Sequence, residues 1–259
     1  MKSAMKKKER MATKTLYVGS RTRIRGNHAD FSISLPEGIT LRGARLFVDA
    51  IRTTDTFPTV STRNRYAYFR GAADSLWAYT LTPGAYTGAS FAAQLAAVSG
   101  RSCTYNSGSN SIQLTNSTGT SIIFSDDELS QFPASAFPAD ASPQDPKSIN
   151  DILGGDAVVS GTSTTFPFVT MAPLQDLYLT SHHLMVHDSY MPRGQRHALA
   201  KLSLTGGYGT VVQGSSPSDC WYNLGEHITL KEVDFQVRDY KGSIVPLLAP
   251  ISFQLIFEC

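Results

Sequence analysis

The segment Asp30-Phe-Ser-Ile-Ser-Leu35 alternates apolar and polar residues with a period of two. That is the period of a half-buried strand, whose side chains point by turns into a core and into water. The same pattern recurs in short runs separated by Gly, Pro, Ser and Asn. Strands are expected over residues 15–20, 44–51, 66–70, 76–81, 102–106, 111–115 and 120–124, and again over 174–181, 198–204, 228–238 and 251–257. Pro36-Glu37-Gly38 is expected to break the strand that starts at Asp30. Only one run has helical spacing: Phe91, Leu95 and Val98 in the Ala-rich stretch 88–98, with Thr87 or Ser90 as its N-cap. Asp126–Leu129 and residues 150–155 read as single helical turns. Residues 53–65, 132–148 and 156–173 read as loops. Many short strands, one helix and no strand–helix–strand rhythm mean an all-β, antiparallel sandwich or jelly roll. The run 253–257 near the end of the chain must then be paired and covered inside a sheet, because a bare apolar edge is sticky.

Charge sharpens this picture. Charged residues make up 17% of the 259-residue chain, against roughly 25% in ordinary globular proteins. A surface rich in Ser, Thr and Gly suits contact with other protein. The net charge of +2 hides an asymmetry, because residues 1–25 hold nine bases and one acid. A basic arm, residues 1–14, on a mildly acidic body suits a polyanion or an acidic partner. Its candidate contacts are Lys2, Lys6, Lys7, Lys8, Arg10 and Lys14. Met11 is a second candidate start, which would place Lys6 to Lys8 upstream. No apolar stretch reaches 18 residues and no apolar leader follows the first bases, so neither a membrane helix nor a secretory signal is expected. Cys103, Cys220 and Cys259 are odd in number and lack metal spacing, so free thiols and a reducing compartment are expected.

Little in the chain points to catalysis. Ser181-His182-His183-Leu184-Met185-Val186-His187 is the one histidine cluster. His183, His187 and Asp188 would have to converge, with a further ligand, to hold zinc. Cys220 stands beside Trp221 and Tyr222, the setting of a buried or interface thiol. Gly206-Gly207-Tyr208-Gly209 has no Lys-Ser/Thr after it and no strand-to-helix context, so a tight turn is expected there. No Gly-x-Ser-x-Gly elbow occurs. The expected reading is a non-enzyme with no cofactor, no metal site and no catalytic residue.

The order of the segments carries more information than any one of them. Phe31-Ser-Ile-Ser-Leu-Pro-Glu-Gly-Ile-Thr-Leu41 is followed by the strand 44–51. Then Tyr79-Thr-Leu-Thr-Pro-Gly-Ala-Tyr86 leads into the helix, short strands and Ile152-Leu153-Gly154. Leu177-Tyr-Leu-Thr-Ser181, Gly207-Tyr208-Gly209, Val233-Asp-Phe-Gln-Val-Arg-Asp-Tyr-Lys-Gly242 and Ser252-Phe-Gln-Leu-Ile-Phe257 close the series. This series resembles the minor capsid, or penton, proteins of Polinton/Maverick elements, polinton-like viruses and related tailless double-stranded DNA viruses. The helix here is shorter and richer in Ala than the resemblance implies, and the stretch 125–173 is long.

The resemblance implies a jelly roll carrying a small helix-containing α+β insertion: an arm at 1–14, first jelly-roll strands at 15–81, an insertion at 82–173 and closing strands at 174–259. It implies a virion protein that forms a homopentamer at an icosahedral vertex and contacts the major capsid protein. The arm would face packaged DNA or an internal membrane. The last strand would be an inner one, its end at the rim against a neighbouring subunit. Candidate interface residues are Trp221, Tyr222, Phe257 and Cys259. Two other functions fit an all-β chain: a receptor- or glycan-binding attachment protein that stacks sugars on Trp77, Trp221 and tyrosines, and a capsid cement protein.

Overall fold

The structure is a computed structural model, described here for residues 12–70, 75–115, 121–154, 159–184, 186, 189–216, 220–225 and 227–259. In chain order its strands are β1 (Thr13–Gly19), β2 (Arg25–Gly26), β3 (Asp30–Arg42), β4 (Arg45–Thr54), β5 (Tyr66–Arg70) and β6 (Leu76–Thr80). After helix α1 (Gly88–Ser99) come β7 (Ser102–Asn106), β8 (Ser111–Thr115) and β9 (Ser121–Ile123). The short helices α2 (Asp126–Leu129) and α3 (Asn150–Leu153) precede β10 (Val159–Gly161) and β11 (Ser163–Phe166). The chain closes with β12 (Asp176–Thr180), β13 (Ala198–Ser203), β14 (Val211–Gly214), β15 (Tyr222–Asn223), β16 (His227–Arg238) and β17 (Ser252–Glu258). Every pairing between these strands is antiparallel. The fold is all-β, a jelly-roll-like sandwich with an inserted unit that contains the one long helix.

Two compact units emerge. One joins the residues up to Thr56 with Leu174–Cys259, and the other is Phe57–Pro173. The first holds two sheets. One runs β1-β17-β4-β14, with β15 also on β4, and the other runs β13-β12-β16-β3-β2. The apolar run at 253–257 is therefore an inner strand. β17 pairs with β1 from Thr13↔Glu258 to Gly19↔Ser252 and with β4 on its other side. Its alternation sends Phe253, Leu255 and Phe257 into the core. Phe253 meets Phe235 of β16 edge-on, ring centroids 4.9 Å apart. Phe235 in turn lies 5.5 Å from Phe31, its register partner on β3. Three phenylalanines thus join the two sheets through one continuous aromatic contact.

Pro36-Glu37-Gly38 does not end its strand. β3 runs through it, because residues 35–38 stand opposite Lys231 alone between the pairs Ser34↔Glu232 and Ile39↔Leu230. This bulge absorbs the proline, and Gly38 supplies the left-handed backbone it needs, at φ 66°. Asp239-Tyr240-Lys241-Gly242 is the expected turn. The Gly242 N–H donates to the Asp239 carbonyl, and Ile244 comes back opposite Arg238.

The second unit is organised around β5, which is buried on both faces. Its sheet runs β10-β9-β5-β6, and a second runs β11-β8-β7. Ala67 and Phe69 point into one cluster, with Phe91 and Leu95 of α1, Ile112, Leu114, Ile152 and Phe166. Tyr66 and Tyr68 point into another, with Phe124, Leu129 and Phe137. The Pro-rich stretch that reads as a loop covers this second face. There the Tyr66 hydroxyl donates to Asp140 and the Tyr68 hydroxyl to the Pro146 carbonyl. Helix α1 starts on Thr87, whose side chain accepts the Ser90 N–H while Ser90 caps in return, and it ends on left-handed Gly100.

The structure places β5 and β6 in this second unit, not among the first jelly-roll strands, because β5 finds its second neighbour in β9. It also adds β2, β10, β11, β14 and β15, which the sequence patterning does not mark as strands. Replacing Phe253 with Ala removes the shared ring of the inter-sheet contact. The expected loss is about 3–5 kcal/mol of unfolding free energy, read by chemical denaturation. A change below about 1 kcal/mol would show that the aromatic contact does not hold the sheets together.

Candidate functional site

The histidine cluster folds around a carboxylate that its spacing does not reveal. β12 ends at Thr180, and Ser181, His182 and His183 turn across β16 toward Asp234. The backbone N–H groups of His182 and His183 donate to Asp234 at 3.2 and 2.9 Å. The Ser181 hydroxyl donates at 3.3 Å. The Nδ1 atoms of His182 and His183 lie 2.9 and 2.7 Å from its two oxygens. Burial alone would raise the Asp234 pKa. The hydrogen bonds from His183 and His182 outweigh it and hold the carboxyl at about 2. His187 and Asp188, the other expected ligands, lie outside the described residues. Among the described residues no group of three or more His, Cys, Asp or Glu could hold a metal ion. The cluster is a clamp that ties the turn after β12 to the sheet.

The remaining expected sites take their places around the first sheet. Arg45 and Glu258 form an ion pair on its outer face. The Arg45 guanidinium lies over the Trp221 ring at 5.3 Å, and Phe47 meets the same ring at 5.5 Å. Trp221 is half-buried by these contacts. Tyr222, also half-buried, sits in β15 opposite Leu46. Phe257 is fully buried in its own sandwich, so its ring is core and has no surface to offer a neighbour. Cys259 exchanges backbone hydrogen bonds with Ala12 at 2.9 and 3.0 Å. Lys2, Lys6, Lys7, Lys8 and Arg10 lie outside the described residues. Lys14, expected in the arm, belongs to β1, and its Nζ donates to the Thr40 carbonyl at 3.2 Å. The arm therefore leaves the sheet at Ala12, beside Cys259.

The other motifs are structural. The Gly207 carbonyl accepts from the Thr210 amide and hydroxyl, and the Gly209 N–H donates to the Asp55 carbonyl. Gly207 and Gly209 are left-handed, at φ 77° and 86°. This is the expected tight turn, closed by the Gly207 carbonyl and by the Gly209 amide bonded to Asp55. All three cysteines are free. Burial pushes the Cys103 thiol up to about 11, which makes it inert. A cleft of about 310 Å³ is lined by Tyr178, Tyr190, Lys201 and Tyr222, and Lys201 is paired with Asp176 at 2.9 Å. In the second unit, Asp140 gathers Tyr66, Arg65 and Lys147. Its carboxyl is held below the usual range, chiefly by the Tyr66 hydrogen bond.

The Asp234 clamp has a pH signature. Its folded pKa lies below the ordinary value of 3.8, so its stabilisation is complete above about pH 4 and disappears as pH falls toward 2. Asp234→Asn should remove about 2 kcal/mol at pH 7 and flatten the stability profile between pH 4 and 2. Denaturation midpoints across that range test it, and a variant with the parent's acid slope would show that the clamp contributes nothing.

No family model matches the chain, and no curated protein matches it. Among solved structures, the crystal structure of the selenomethionine-labelled mavirus penton protein is similar to this chain, at 10% sequence identity and a TM-score of 0.49, over 95% of this chain and 99% of that one.

Proposed function

We propose that this chain is a structural virion protein, a penton subunit that builds the vertex of an icosahedral capsid by contact with itself and with a major capsid protein. One observation carries the reading: the ordered segments that resemble penton proteins fold as a jelly-roll-like sandwich interrupted between Thr56 and Leu174 by an inserted unit. The resemblance implies an insertion of this kind at 82–173, and the inserted unit here begins earlier, at Phe57. The work of such a protein is burial and shape complementarity without turnover.

The geometry suits the role in two further ways. β1 and β17 are neighbours, so the basic arm leaves from the end of the sheet where Cys259 lies. A single rim then offers the arm, Cys259 and the Arg45–Trp221 cluster to its surroundings. The arm faces inward, toward packaged DNA or the anionic surface of an internal membrane. Its free cysteines suit assembly in a reducing compartment, and its place of residence is the virion.

Light scattering behind a sizing column should show a discrete species at five times the 28.1 kDa chain. A strict monomer at all concentrations, with no incorporation into shells co-expressed with a major capsid protein, overturns the reading. The arm has its own test. Deleting residues 1–11 removes five bases and should lower the slope of log affinity for duplex DNA against log salt by as much as about 4. An unchanged slope would remove DNA from the arm's partners.

A further inference from the structure

Sheet edges are where strand proteins meet other chains, and several edges here carry a guard. β1 carries the exposed Lys14, whose Nζ is tied to the Thr40 carbonyl. β13 carries Lys201, locked to Asp176. β2 is only two residues long. Inward charges, edge lysines and short strands are the usual devices against unwanted pairing. β6 has none of them. It is Leu-Trp-Ala-Tyr-Thr, without charge or proline, and it pairs with β5 alone.

The register shows which backbone groups β6 leaves open. The Leu81 N–H donates to the Arg65 carbonyl at 2.8 Å. Tyr66 turns its own N–H and C=O the other way, to Lys147 and Ile149. Antiparallel pairs alternate between bonded and non-bonded. Ala67↔Tyr79 and Phe69↔Trp77 are therefore the bonded pairs of this ladder, and Leu76, Ala78 and Thr80 direct their N–H and C=O groups away from it. Ala78 and Thr80 are exposed, and the Trp77 ring is 47% exposed.

We propose that β6 is a pairing edge for β6 of a second copy of this chain, antiparallel about Ala78. The sequence is self-complementary in that register. Ala78 faces Ala78 at the two-fold axis, where the smallest side chain of the strand meets itself without charge. Leu76 faces Thr80 of the partner, so the outward backbone groups at 76, 78 and 80 bond to one another. Trp77 faces the partner's Tyr79 in the non-bonded pairs, where side chains approach most closely. Cross-strand aromatic pairs of this kind are favourable. The contact is isologous and closes after two copies, giving one eight-stranded sheet from two four-stranded ones. Five residues make a small interface, so association is concentration-dependent. It involves Phe57–Pro173 only, so this doubling and the vertex ring are separate steps in mass, and either stands without the other.

The test is sedimentation of the full chain across a concentration series, with amide exchange measured in parallel. The expected result is a doubling of mass, of the monomer or of a ring. The amides of Ala78 and Thr80 should slow as it forms, while those of Trp77 and Tyr79 are protected throughout. Ala78→Pro removes an N–H that β5 does not use, and Ala78→Lys places two like charges on the axis. Each should weaken doubling by about tenfold or more, with Trp77 and Tyr79 protection retained as the sign of an intact fold. Absence of doubling at every concentration overturns the proposal. So does doubling that persists in both variants, or that leaves the Ala78 and Thr80 amides unprotected.

Discussion

The sandwich depends on a strand bonded along both edges. β17 lies between β1 and β4, and its alternate residues Phe253, Leu255 and Phe257 form the floor of the core. An inner strand has no unpaired N–H or C=O to satisfy elsewhere, and its apolar face loses all contact with water. From Phe253 the contact passes to Phe235 and Phe31 in the facing sheet. The register of β17 against β4 is shifted by a bulge, with Ser252 opposite Arg52 and Gln254 opposite Asp49. Ala50 takes a left-handed backbone within it. The strand that matters most to the core is also one whose pairing is locally irregular.

β5 plays the corresponding part in the inserted unit, with one difference. β17 is covered by a facing sheet on its core side alone, whereas β5 is covered by packed side chains on both sides. Its second cover is a segment rich in proline, with little regular structure. That segment is held by Tyr66, Tyr68 and Asp140, and burial raises the pKa of both phenols, keeping them protonated. A loop can serve as a layer of the core when its polar backbone finds partners, as it does here in the Ser148 bridge and the Asn150 side chain bonded to Phe124 and Asp126.

The distribution of charge is consistent with assembly. Some acidic and basic groups in the sandwich are matched locally, as at Arg25–Glu232, Arg45–Glu258 and Lys201–Asp176. Exposed pairs of this kind add little stability. Residues 1–11 carry five bases and one acid in sequence.

Local patterning was enough to place most of the strands. β5, β7 and β8 begin and end where period-two alternation and the flanking Gly, Ser and Asn residues put them, and α1 has the cap its Thr87 announces. These features are local, so a short window contains the physics that decides them. The strands that patterning missed, β2, β10, β11, β14 and β15, are only two to four residues long, and they exist because a neighbouring strand pairs with them. The same holds for the clamp. Nothing near His182 and His183 in the chain points to Asp234, whose position follows from the register of β16 against β12. The sequence alone determined the strand periodicity, the inner position of the last strand and the basic arm. Tertiary pairing decided which sheet each strand joins, the burial of Phe257 and the partner of the histidines, because these depend on contacts between residues far apart in the chain.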